Sequence, residues 1–475
     1  MRRAKIVCTL GPATESLDMI QALVDAGMDV ARINRSHGEP EEHAKVIKNV
    51  RAAAQASGRS VAVLVDLQGP KIRLGRFIEG KHDLAVGDAF TITVDDVEGT
   101  KERVSTTFKG LTGDVSPGDP ILIDDGKVLV RVIEVVGNDV HTRVEVPGTV
   151  SNNKGLNLPG VAVSVPAMSD KDETDLRWGL AQGADFIALS FVRSAADYDR
   201  VRQIMEEEGR IVPVIAKVEK PQAVENLAEI VNAFDGIMVA RGDLGVELPL
   251  EQVPLVQKRA VELARRNAKP VIVATQVLES MTTNPRPTRA ETSDCANAVL
   301  DGADAVMLSG ETSVGDFPIE TVRTMARIIE ATEQLGRERI APLGSTPHTR
   351  GGAITRAAAE IGERIGVKYL VTFTQSGDSA RRMSRLRSPI PLLAFTPVES
   401  VRNVMSLSWG VQTYQVPQVG STDEMVDQVD KTLQANGLAE QGDYVVVVSG
   451  APVGVVGSTN SIVVHKIGDE SERIA

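Results

Sequence analysis

The sequence predicts an α/β protein built on a (β/α)8 barrel, with one domain inserted into the barrel and another following it. Eight short apolar runs each end in a polar or glycine-rich turn, most are followed by a helical pattern, and one long stretch breaks this alternation. Runs rich in Val, Ile and Ala are typical of strands buried on both faces of a parallel sheet, with helices as crossovers. The eight runs are residues 5–11, 30–36, 60–67, 186–192, 213–219, 236–242, 270–276 and 305–311.

The stretch that breaks the pattern is residues 70–165. Helical periodicity gives way there to the alternation Phe90-Thr91-Ile92-Thr93-Val94 and to turn signals such as Asp124-Asp125-Gly126. This predicts a small β-barrel domain inserted after the third strand, so that the (β/α)8 barrel comprises residues 1–69 and 166–335. Because barrel enzymes place their chemistry at the carboxyl ends of the strands, the insert is positioned to act as a lid. A passive structural addition is the alternative.

The rest of the chain predicts a linker and a third domain. Residues 336–352 are rich in Gly, Pro, Ser and Thr, which is typical of a linker. Five apolar runs follow, mostly separated by helical patterns, at residues 368–374, 391–395, 411–416, 444–448 and 462–467. This alternation predicts an open α/β sheet over residues 353–475.

Composition excludes several classes of protein. The 475 residues carry a formal net charge of -12 and only 3% aromatic side chains, so neither phosphate backbones nor stacked bases are favoured partners, and we expect no nucleic acid. Without a signal peptide or an apolar run of membrane-spanning length, we expect a cytoplasmic protein that binds no membrane. Cys8 and Cys295 are expected to be reduced thiols. Phosphate-binding loops of the G-x-x-x-x-G-K-[ST] and G-x-G-x-x-G types are absent, as is zinc-type Cys or His spacing.

Candidate catalytic residues follow the fifth and sixth predicted strands. Lys217 and Glu219 are two residues apart and therefore point to the same side of a strand. Asp243 follows the next strand beside Gly242, whose backbone can approach a ligand closely. Two carboxylates with room for water are typical of a Mg2+ site completed by substrate oxygens. A buried network of ion pairs is the alternative.

Other strand ends add cations. Arg32 and Asn34 share a face where the second run opens a helix, an arrangement that can hold phosphate. The third strand ends in Asp66 and is followed by Lys71 and Arg73, and the seventh ends in Thr275-Gln276. Each of these residues alone could be a cap or a solvated side chain. Together they predict an anion pocket with a metal.

Long strings in the chain resemble the pyruvate kinase family. They are KIVCTLGPAT at 5–14, DLQGPKIR at 66–73, KGLNLPG at 154–160, KVEK at 217–220, DGIMVARGDLGV at 235–246, PRPTRAE at 285–291 and LSGET at 308–312. The resemblance runs from Lys5 to Ile467 and implies a barrel, an inserted lid and a C-terminal α/β domain. It implies transfer of a phosphoryl group from phosphoenolpyruvate to ADP, giving pyruvate and ATP, as the final step of glycolysis.

The resemblance also implies roles for single residues. Lys217 would stabilise the transferring phosphoryl group and the enolate, and Arg32 would hold the phosphoryl group. Glu219 and Asp243 would bind Mg2+, for which Mn2+ can substitute, and a second Mg2+ would arrive with the nucleotide. Gly242, Asp243 and Thr275 match the positions that bind the substrate carboxylate, and Thr275 would also lie on the route by which the enolate is protonated. The positions that match nucleotide contacts are Asn34, Arg35, Ser36, His37, Arg73 and Lys154.

Two positions depart from part of the family. Members that require K+ carry Thr, Glu and Thr where this chain has Leu67, Lys71 and Leu74, so we expect activity without K+, with the Lys71 ammonium supplying the charge. The other K+ ligand positions of the family match Asn34, Ser36 and Asp66. Arg35 replaces a residue that is commonly hydrophobic, and either an ion pair or an extra nucleotide contact would account for it.

A regulatory site is expected in the third domain. Residues 374–379 follow a strand and open a helix, and the loop 457–460 is similar to the facing loop of the family's effector site. The effector positions are Thr374, Gln375, Ser376, Gly377 and Ser379. Gln375 stands where some relatives have Lys, which favours a sugar or nucleoside monophosphate over a bisphosphate; a simple helix cap is the alternative. The resemblance also implies a homotetramer.

Two other functions fit part of the pattern. An aldolase or lyase acting on pyruvate enolate would use the same Mg2+ carboxylates, but it does not explain the lid or the cations Arg32 and Arg73. A metabolite-sensing barrel without catalytic activity is disfavoured because every candidate catalytic position is intact.

Overall fold

Eight parallel strands close into a barrel in which each strand pairs with two neighbours. The structure is a computed structural model that describes residues 2–161 and 163–469; residues 470–475, at the end of the predicted third domain, lie outside the described residues. All eight strands fall within the predicted apolar runs. They are β1 (Lys5–Thr9), β2 (Val30–Asn34), β3 (Ala62–Asp66), β12 (Phe186–Leu189), β13 (Val214–Val218), β14 (Gly236–Ala240), β15 (Val271–Ala274) and β16 (Ala305–Leu308).

Helices surround the barrel and begin at well-formed caps. Ser16 accepts a hydrogen bond from Met19 N at the start of the first helix, and Thr288 and Glu291 form a capping box at the start of the tenth. The helices are α1 (Leu17–Ala26), α2 (Pro40–Ser57), α4 (Asp170–Ala181), α5 (Asp197–Glu207), α6 (Pro221–Glu225), α7 (Leu227–Ala233), α8 (Arg241–Glu247), α9 (Val253–Arg266), α10 (Arg289–Asp301), α11 (Gly310–Ser313) and α12 (Pro318–Gly336). Their apolar faces and the outer faces of the strands form one large core.

The inserted segment contains a six-stranded sheet, a two-stranded sheet and a short helix. The elements are β4 (Lys81–Leu84), β5 (Ala89–Thr93), β6 (Arg103–Ser105), α3 (Leu111–Asp114), β7 (Pro120–Ile123), β8 (Val128–Val136), β9 (Asp139–Val146), β10 (Gly148–Ser151) and β11 (Leu156–Asn157). The larger sheet has the order β11-β7-β8-β9-β5-β6, and β10 pairs with β4. Both sheets contribute to one apolar core. Their hydrogen bonding does not join them into one closed barrel among the described residues, because β4 and β10 pair only with each other and β8 shifts register against β9.

The C-terminal domain is an open five-stranded sheet in the order β19-β18-β17-β20-β21, in which only the last strand is antiparallel. Its elements are α13 (Arg350–Ile365), β17 (Tyr369–Phe373), α14 (Asp378–Ser384), β18 (Leu392–Thr396), α15 (Glu399–Val404), β19 (Val411–Gln415), α16 (Thr422–Ala435), β20 (Tyr444–Gly450) and β21 (Thr459–Lys466). Apolar clusters cover both faces of the sheet. The preceding linker is shorter than predicted, because α12 reaches Gly336 and α13 begins at Arg350 after the Thr349 cap.

The C-terminal domain docks on the amino-terminal end of the barrel. Ser406 Oγ lies 2.8 Å from Ser60 Oγ, just before β3. Leu407 is completely buried and belongs to the same apolar cluster as the inward-facing barrel residues Val7, Leu64 and Phe186. The opposite, carboxyl end of the barrel faces the inserted domain. No helix in the described ranges has the length and apolar character needed to cross a membrane.

Candidate active site

A cavity of about 280 Å3 lies between the carboxyl ends of the barrel strands and the inserted domain. The barrel and the residues after β3 contribute His37, Lys71, Arg73 and Asp243, and the inserted domain contributes Lys154. Burial, followed by the charges of Lys71, Arg73 and Arg32, lowers the pKa of His37. The cavity is therefore a place where positive charge is concentrated in an otherwise acidic protein.

The Lys217 ammonium lies at the end of β13 and is surrounded by three oxygens. Its Nζ is 2.7 Å from Ser190 Oγ, 2.9 Å from Glu219 Oε1 and 3.3 Å from Asp66 Oδ1. Burial disfavours the charged form, but Asp66 and Glu219 outweigh this effect and raise the pKa of Lys217. Lys217 is thus a permanent, fixed cation, which suits the stabilisation of a developing anion rather than proton transfer.

Arg32 is held in place by the same carboxylate. Its Nε donates to Asp66 Oδ2 at 2.7 Å, and its Nη1 donates to Thr9 Oγ1 at 2.9 Å. Burial opposes ionisation of Asp66, but the neighbouring Lys217 and Arg32 together keep its pKa below the usual value. Asp66, at the end of β3, therefore fixes two cations at the carboxyl end of the barrel, an arrangement suited to phosphate recognition.

Glu219 and Asp243 fit a divalent cation. Glu219 Oε2 accepts from Phe191 N at 2.7 Å, whereas the buried Oε1 faces the Lys217 ammonium without an aligned hydrogen bond. Burial and the Asp243 charge raise the pKa of Glu219 against the effect of Lys217. A cation between the two carboxylates would relieve this repulsion. Two carboxylates would leave the rest of a Mg2+ shell to water and substrate oxygens.

Thr275 adopts a strained backbone conformation at the end of β15. Its φ is +69°, in the left-handed region that non-glycine residues rarely occupy, and the next residue, Gln276, has φ +53°. The Thr275 hydroxyl accepts from Gly242 N and donates to Ala274 O, both at 2.7 Å. Arg241 donates to Thr275 O at 2.8 Å and stabilises the turn. The Thr275 hydroxyl and the Gly242 amide, which the family resemblance places at one substrate carboxylate, are thereby brought together.

The predicted nucleotide residues fall into two groups. His37, Arg73 and Lys154 line the cavity, with Lys154 Nζ 3.0 Å from Asp124 Oδ1 in the inserted domain. Asn34 and Ser36 form a local turn, in which Asn34 Oδ1 accepts from Ser36 N at 3.2 Å. The turn lies at the end of β2, next to Asp66 in register.

The prediction that Arg35 contacts nucleotide does not fit the structure. Arg35 is 4% exposed, its Nη2 lies 2.8 Å from Asp175 Oδ1, and its guanidinium stacks on Trp178 at 4.5 Å. It also contacts His43. Successive residues at a strand end point in opposite directions, so Arg35 enters the packing between helices while Asn34 faces the barrel mouth.

The monovalent-cation positions are also occupied by protein contacts. The Leu67 side chain is buried, and its carbonyl accepts a hydrogen bond from Ser190 Oγ at 2.7 Å. Asp66 is paired with Arg32 and Lys217. Lys71 is exposed at the cavity wall and its charge reaches His37.

Two features of the site were not predicted. Ser190 contacts both Lys217 and Leu67, and Phe191 with φ +55° directs its amide to Glu219. Both residues lie inside the fourth predicted apolar run, 186–192, which extends beyond the observed strand β12, and their position near the end of that run was the available signal. The second feature is a hydrogen bond from Asn157 of the inserted domain to Glu247 of the barrel. The two residues are 90 positions apart along the chain, so no local pattern indicates that they meet.

The predicted effector residues surround a second, smaller cavity in the C-terminal domain. Thr374, Gln375, Ser376 and Ser379 line it together with the facing loop 457–459. Gly377, in the left-handed conformation, donates its amide to Thr374 Oγ1 at 2.8 Å and shapes the turn. Ser379 Oγ lies 2.7 Å from Thr459 Oγ1, so the two loops are in direct contact.

Comparisons with known proteins agree with this architecture. The profile described as "Pyruvate kinase, barrel domain" matches residues 1–322, and "Pyruvate kinase, alpha/beta domain" matches residues 352–465. A pyruvate kinase of Mycobacterium intracellulare is 59% identical over 469 residues, covering 99% of both chains. One of Corynebacterium glutamicum is 59% identical over 474 residues, covering 100% of this chain and 99% of the other.

A solved structure of similar shape is a pyruvate kinase from Cryptosporidium parvum, with a TM-score of 0.92 and 34% identity. The match covers 98% of this chain and 96% of the other. The matched barrel and α/β domains and the identity over nearly the whole chain together show the family. The chain belongs to the pyruvate kinase family and is a phosphotransferase.

Proposed function

We propose that the cavity between the barrel and the inserted domain transfers the phosphoryl group of phosphoenolpyruvate to ADP through Lys217. The observation that carries this proposal is the fixed Lys217 ammonium between Asp66 and Glu219 at the mouth of the barrel. Arg32 would bind the phosphoryl oxygens, and Lys217 would stabilise the charge that passes between the phosphoryl group and the enolate. The positive charge of both residues is oriented before substrate arrives, which reduces the cost of reorganisation.

The substrate carboxylate would bind the Gly242 and Asp243 amides with the Thr275 hydroxyl. Gly242 N donates to this hydroxyl, and the hydroxyl donates to Ala274 O, both at 2.7 Å, so the carboxylate would replace both of these bonds. Thr275 would also lie on the route by which the enolate receives a proton. Glu219 and Asp243 would hold Mg2+, which supplies Lewis-acid stabilisation of the substrate oxygens when bound.

The nucleotide would occupy the outer cavity. His37, Arg73 and Lys154 line this cavity from both domains, so closure of the inserted domain would bring cations to the ADP phosphates. Asn34 and Ser36 would contribute from the turn after β2. Arg35 would make no contact with the nucleotide, because its side chain is buried against Asp175.

The assay for this function is formation of pyruvate and ATP from phosphoenolpyruvate, ADP and Mg2+, repeated with Lys217→Met. Turnover should fall by about 100-fold or more, as on removal of one group that stabilises a transition-state anion. Lys258→Met, an exposed lysine on α9 paired with Asp301, is the matched control. Unchanged turnover in Lys217→Met would remove this residue from its role, and enolate cleavage without ATP would favour the lyase.

We further propose that turnover does not require K+. Leu67 and Lys71 stand where members that require K+ carry Thr and Glu, and Lys71 places a permanent charge at the cavity wall. Replacing K+ by tetramethylammonium at constant ionic strength should leave turnover within about twofold of the K+ value. A strong loss would contradict the proposal.

Regulation by a phosphorylated effector is the remaining part of the proposal. A sugar or nucleoside monophosphate would bind the hydroxyls and amides of residues 374–379, and a cytoplasmic homotetramer would transmit the effect. Ser376→Ala with Ser379→Ala should weaken activation without changing basal turnover. Undiminished binding of the activator in this double variant would exclude the site, and sizing of the native enzyme by light scattering tests the tetramer.

A further inference from the structure

Five basic side chains meet at the seam between the barrel and the C-terminal domain. They line one small cavity, and the acidic residue among its described lining residues is Asp304 alone. Two of them, Arg265 and Lys269, come from the barrel. The other three, Arg381, Arg385 and Arg387, come from the C-terminal domain.

Three of these guanidinium groups are buried and incompletely bonded. Arg265 is 4% exposed, and Arg385 and Arg387 are each 7% exposed. The Nε of each is buried without a hydrogen-bond acceptor. Their other N–H groups donate mainly to neutral carbonyls: Arg265 to Ala341 O, Arg385 to Arg266 O and Arg387 to Gly302 O. Buried donors normally find an acceptor, so three orphaned N–H groups at one cavity indicate an absent ligand.

The charge at the seam is also unbalanced. Asp304 Oδ1 lies 3.3 Å from Arg387 Nη2 and also accepts from Trp409 N, so its one negative charge is shared. Burial, followed by the like charge of Arg387, lowers the pKa of Arg265 to about 10. Burial also lowers the pKa of Lys269. An anion would relieve the repulsion between these groups.

We propose that this seam binds a tetrahedral oxyanion, either free inorganic phosphate or the phosphoryl end of a small phosphomonoester. The paired N–H groups of an arginine guanidinium can donate to two oxygens of a phosphoryl group. In a buried cluster of arginines each of these hydrogen bonds is stronger than it would be in water. The small cavity itself, about 10 Å3, has room for about one water. It adjoins a larger cavity of about 840 Å3 that shares Lys269 and Arg381, so the anion would lie where the two cavities meet, with room for an ester in the larger one. The anion would contact both domains at once and so stabilise their docking.

The small cavity is distinct from the active site and from the effector cavity, whereas the larger adjoining cavity is also lined by the effector residue Ser376. The active site lies at the opposite end of the barrel. The effector cavity lies across α14, where Arg381 donates to Ser376 O at 3.3 Å. Because those two places are expected to bind phosphates as well, a test must remove their contribution.

The test is calorimetric titration of the full chain in a background of Arg32→Gln, Ser376→Ala and Ser379→Ala. Inorganic phosphate and glycerol 3-phosphate are titrated in turn at constant ionic strength, with chloride as the reference anion. We expect saturable phosphate or ester binding that chloride does not reproduce. Arg265→Gln and Arg381→Gln should each weaken it about tenfold or more, the usual effect of removing a charged hydrogen bond.

Arg356→Gln is the matched control, because Arg356 is exposed on α13, pairs with Glu360 and lines neither cavity. The affinity of this control variant for phosphate and for glycerol 3-phosphate should be unchanged. If Arg265→Gln fails to fold, Arg381→Gln carries the test, since Arg381 is half-buried and its one described hydrogen bond is long. Binding no tighter than that of chloride, or unaffected by Arg381→Gln, would overturn the proposal. If inorganic phosphate binds more tightly than glycerol 3-phosphate, the ligand is the free ion. If glycerol 3-phosphate binds more tightly, the ligand is a phosphomonoester.

Discussion

Asn157 Nδ2 of the inserted domain donates to Glu247 Oε1 of the barrel at 2.9 Å. Lys220 Nζ donates to the same oxygen at 2.6 Å, and Glu247 is buried. The Lys220 ammonium in turn lies 5.3 Å from the centre of the Phe191 ring, beside the residue that orients Glu219. The position of the inserted domain is thereby connected to the catalytic carboxylate through three side chains.

Asn157→Ala should loosen the inserted domain while leaving the Lys220–Glu247 pair intact. Loss of a hydrogen bond to a charged group favours the open arrangement, so we expect KM for ADP to rise about three- to tenfold with a smaller change in kcat. Steady-state kinetics at saturating phosphoenolpyruvate measure this. Asn138→Ala, in a hairpin turn within the same domain, is the control; equal effects in both variants would contradict a specific interdomain contact.

Ser190→Ala should impair turnover more than stability. The hydroxyl accepts from Lys217 and donates to Leu67 O, so its loss lets the ammonium move toward Glu219. We expect kcat to fall about tenfold and the free energy of unfolding to fall by about 1 kcal/mol. Turnover and urea unfolding are measured on the same preparation, with Ser57→Ala at the end of α2 as the control. A kcat equal to that of the unsubstituted enzyme would mean that Ser190 does not position Lys217.

Arg35→Gln should show the opposite behaviour. Removing one partner of a buried ion pair leaves Asp175 poorly compensated, so we expect a loss of about 3 kcal/mol in the free energy of unfolding. KM for ADP should stay within about twofold, because a buried side chain makes no nucleotide contact. Arg73→Gln, which lines the cavity, should raise KM for ADP without comparable destabilisation. An increase in KM for Arg35→Gln alone would restore its predicted nucleotide role.

Stability should decline between pH 6.5 and pH 4 because of His43. Burial and the adjacent Arg35 lower the pKa of His43 to about 4, so the unfolded chain binds a proton that the folded chain excludes. This contribution is complete above pH 6.5 and is lost as the pH falls toward 4. Allowing for solvent screening, it amounts to about 1–2 kcal/mol.

Urea unfolding at pH 7 and pH 5 measures the effect of His43. His43→Gln should reduce the difference in unfolding free energy between the two pH values, whereas His348→Gln, at an exposed position in the linker, should leave it unchanged. The same pH dependence in all three proteins would exclude His43 as its source.

Local sequence patterns predicted which side chains gather at the carboxyl end of the barrel, because strand periodicity determines which side chains share a face. Lys217, Glu219 and Arg32 lie at the barrel mouth for this reason. The sequence left two interpretations of Arg35 open, an ion pair and an extra nucleotide contact, and the buried contact with Asp175 fits the ion pair. Ser190 was missed because a serine at a strand end has many ordinary roles. The contact of Arg265 with the C-terminal arginines depends on domain docking, which no local period encodes.

Burial of Leu407 in the barrel interior makes the stability of the barrel depend on the C-terminal domain. A side chain from the C-terminal domain completes the apolar interior of the barrel, although nearly a hundred residues separate it from the last barrel strand. A barrel cut free of that domain would open its own centre to water at the end remote from catalysis. The barrel and the C-terminal domain are separate along the chain but share one apolar interior. The stability of the barrel therefore depends in part on the domain that is expected to regulate it.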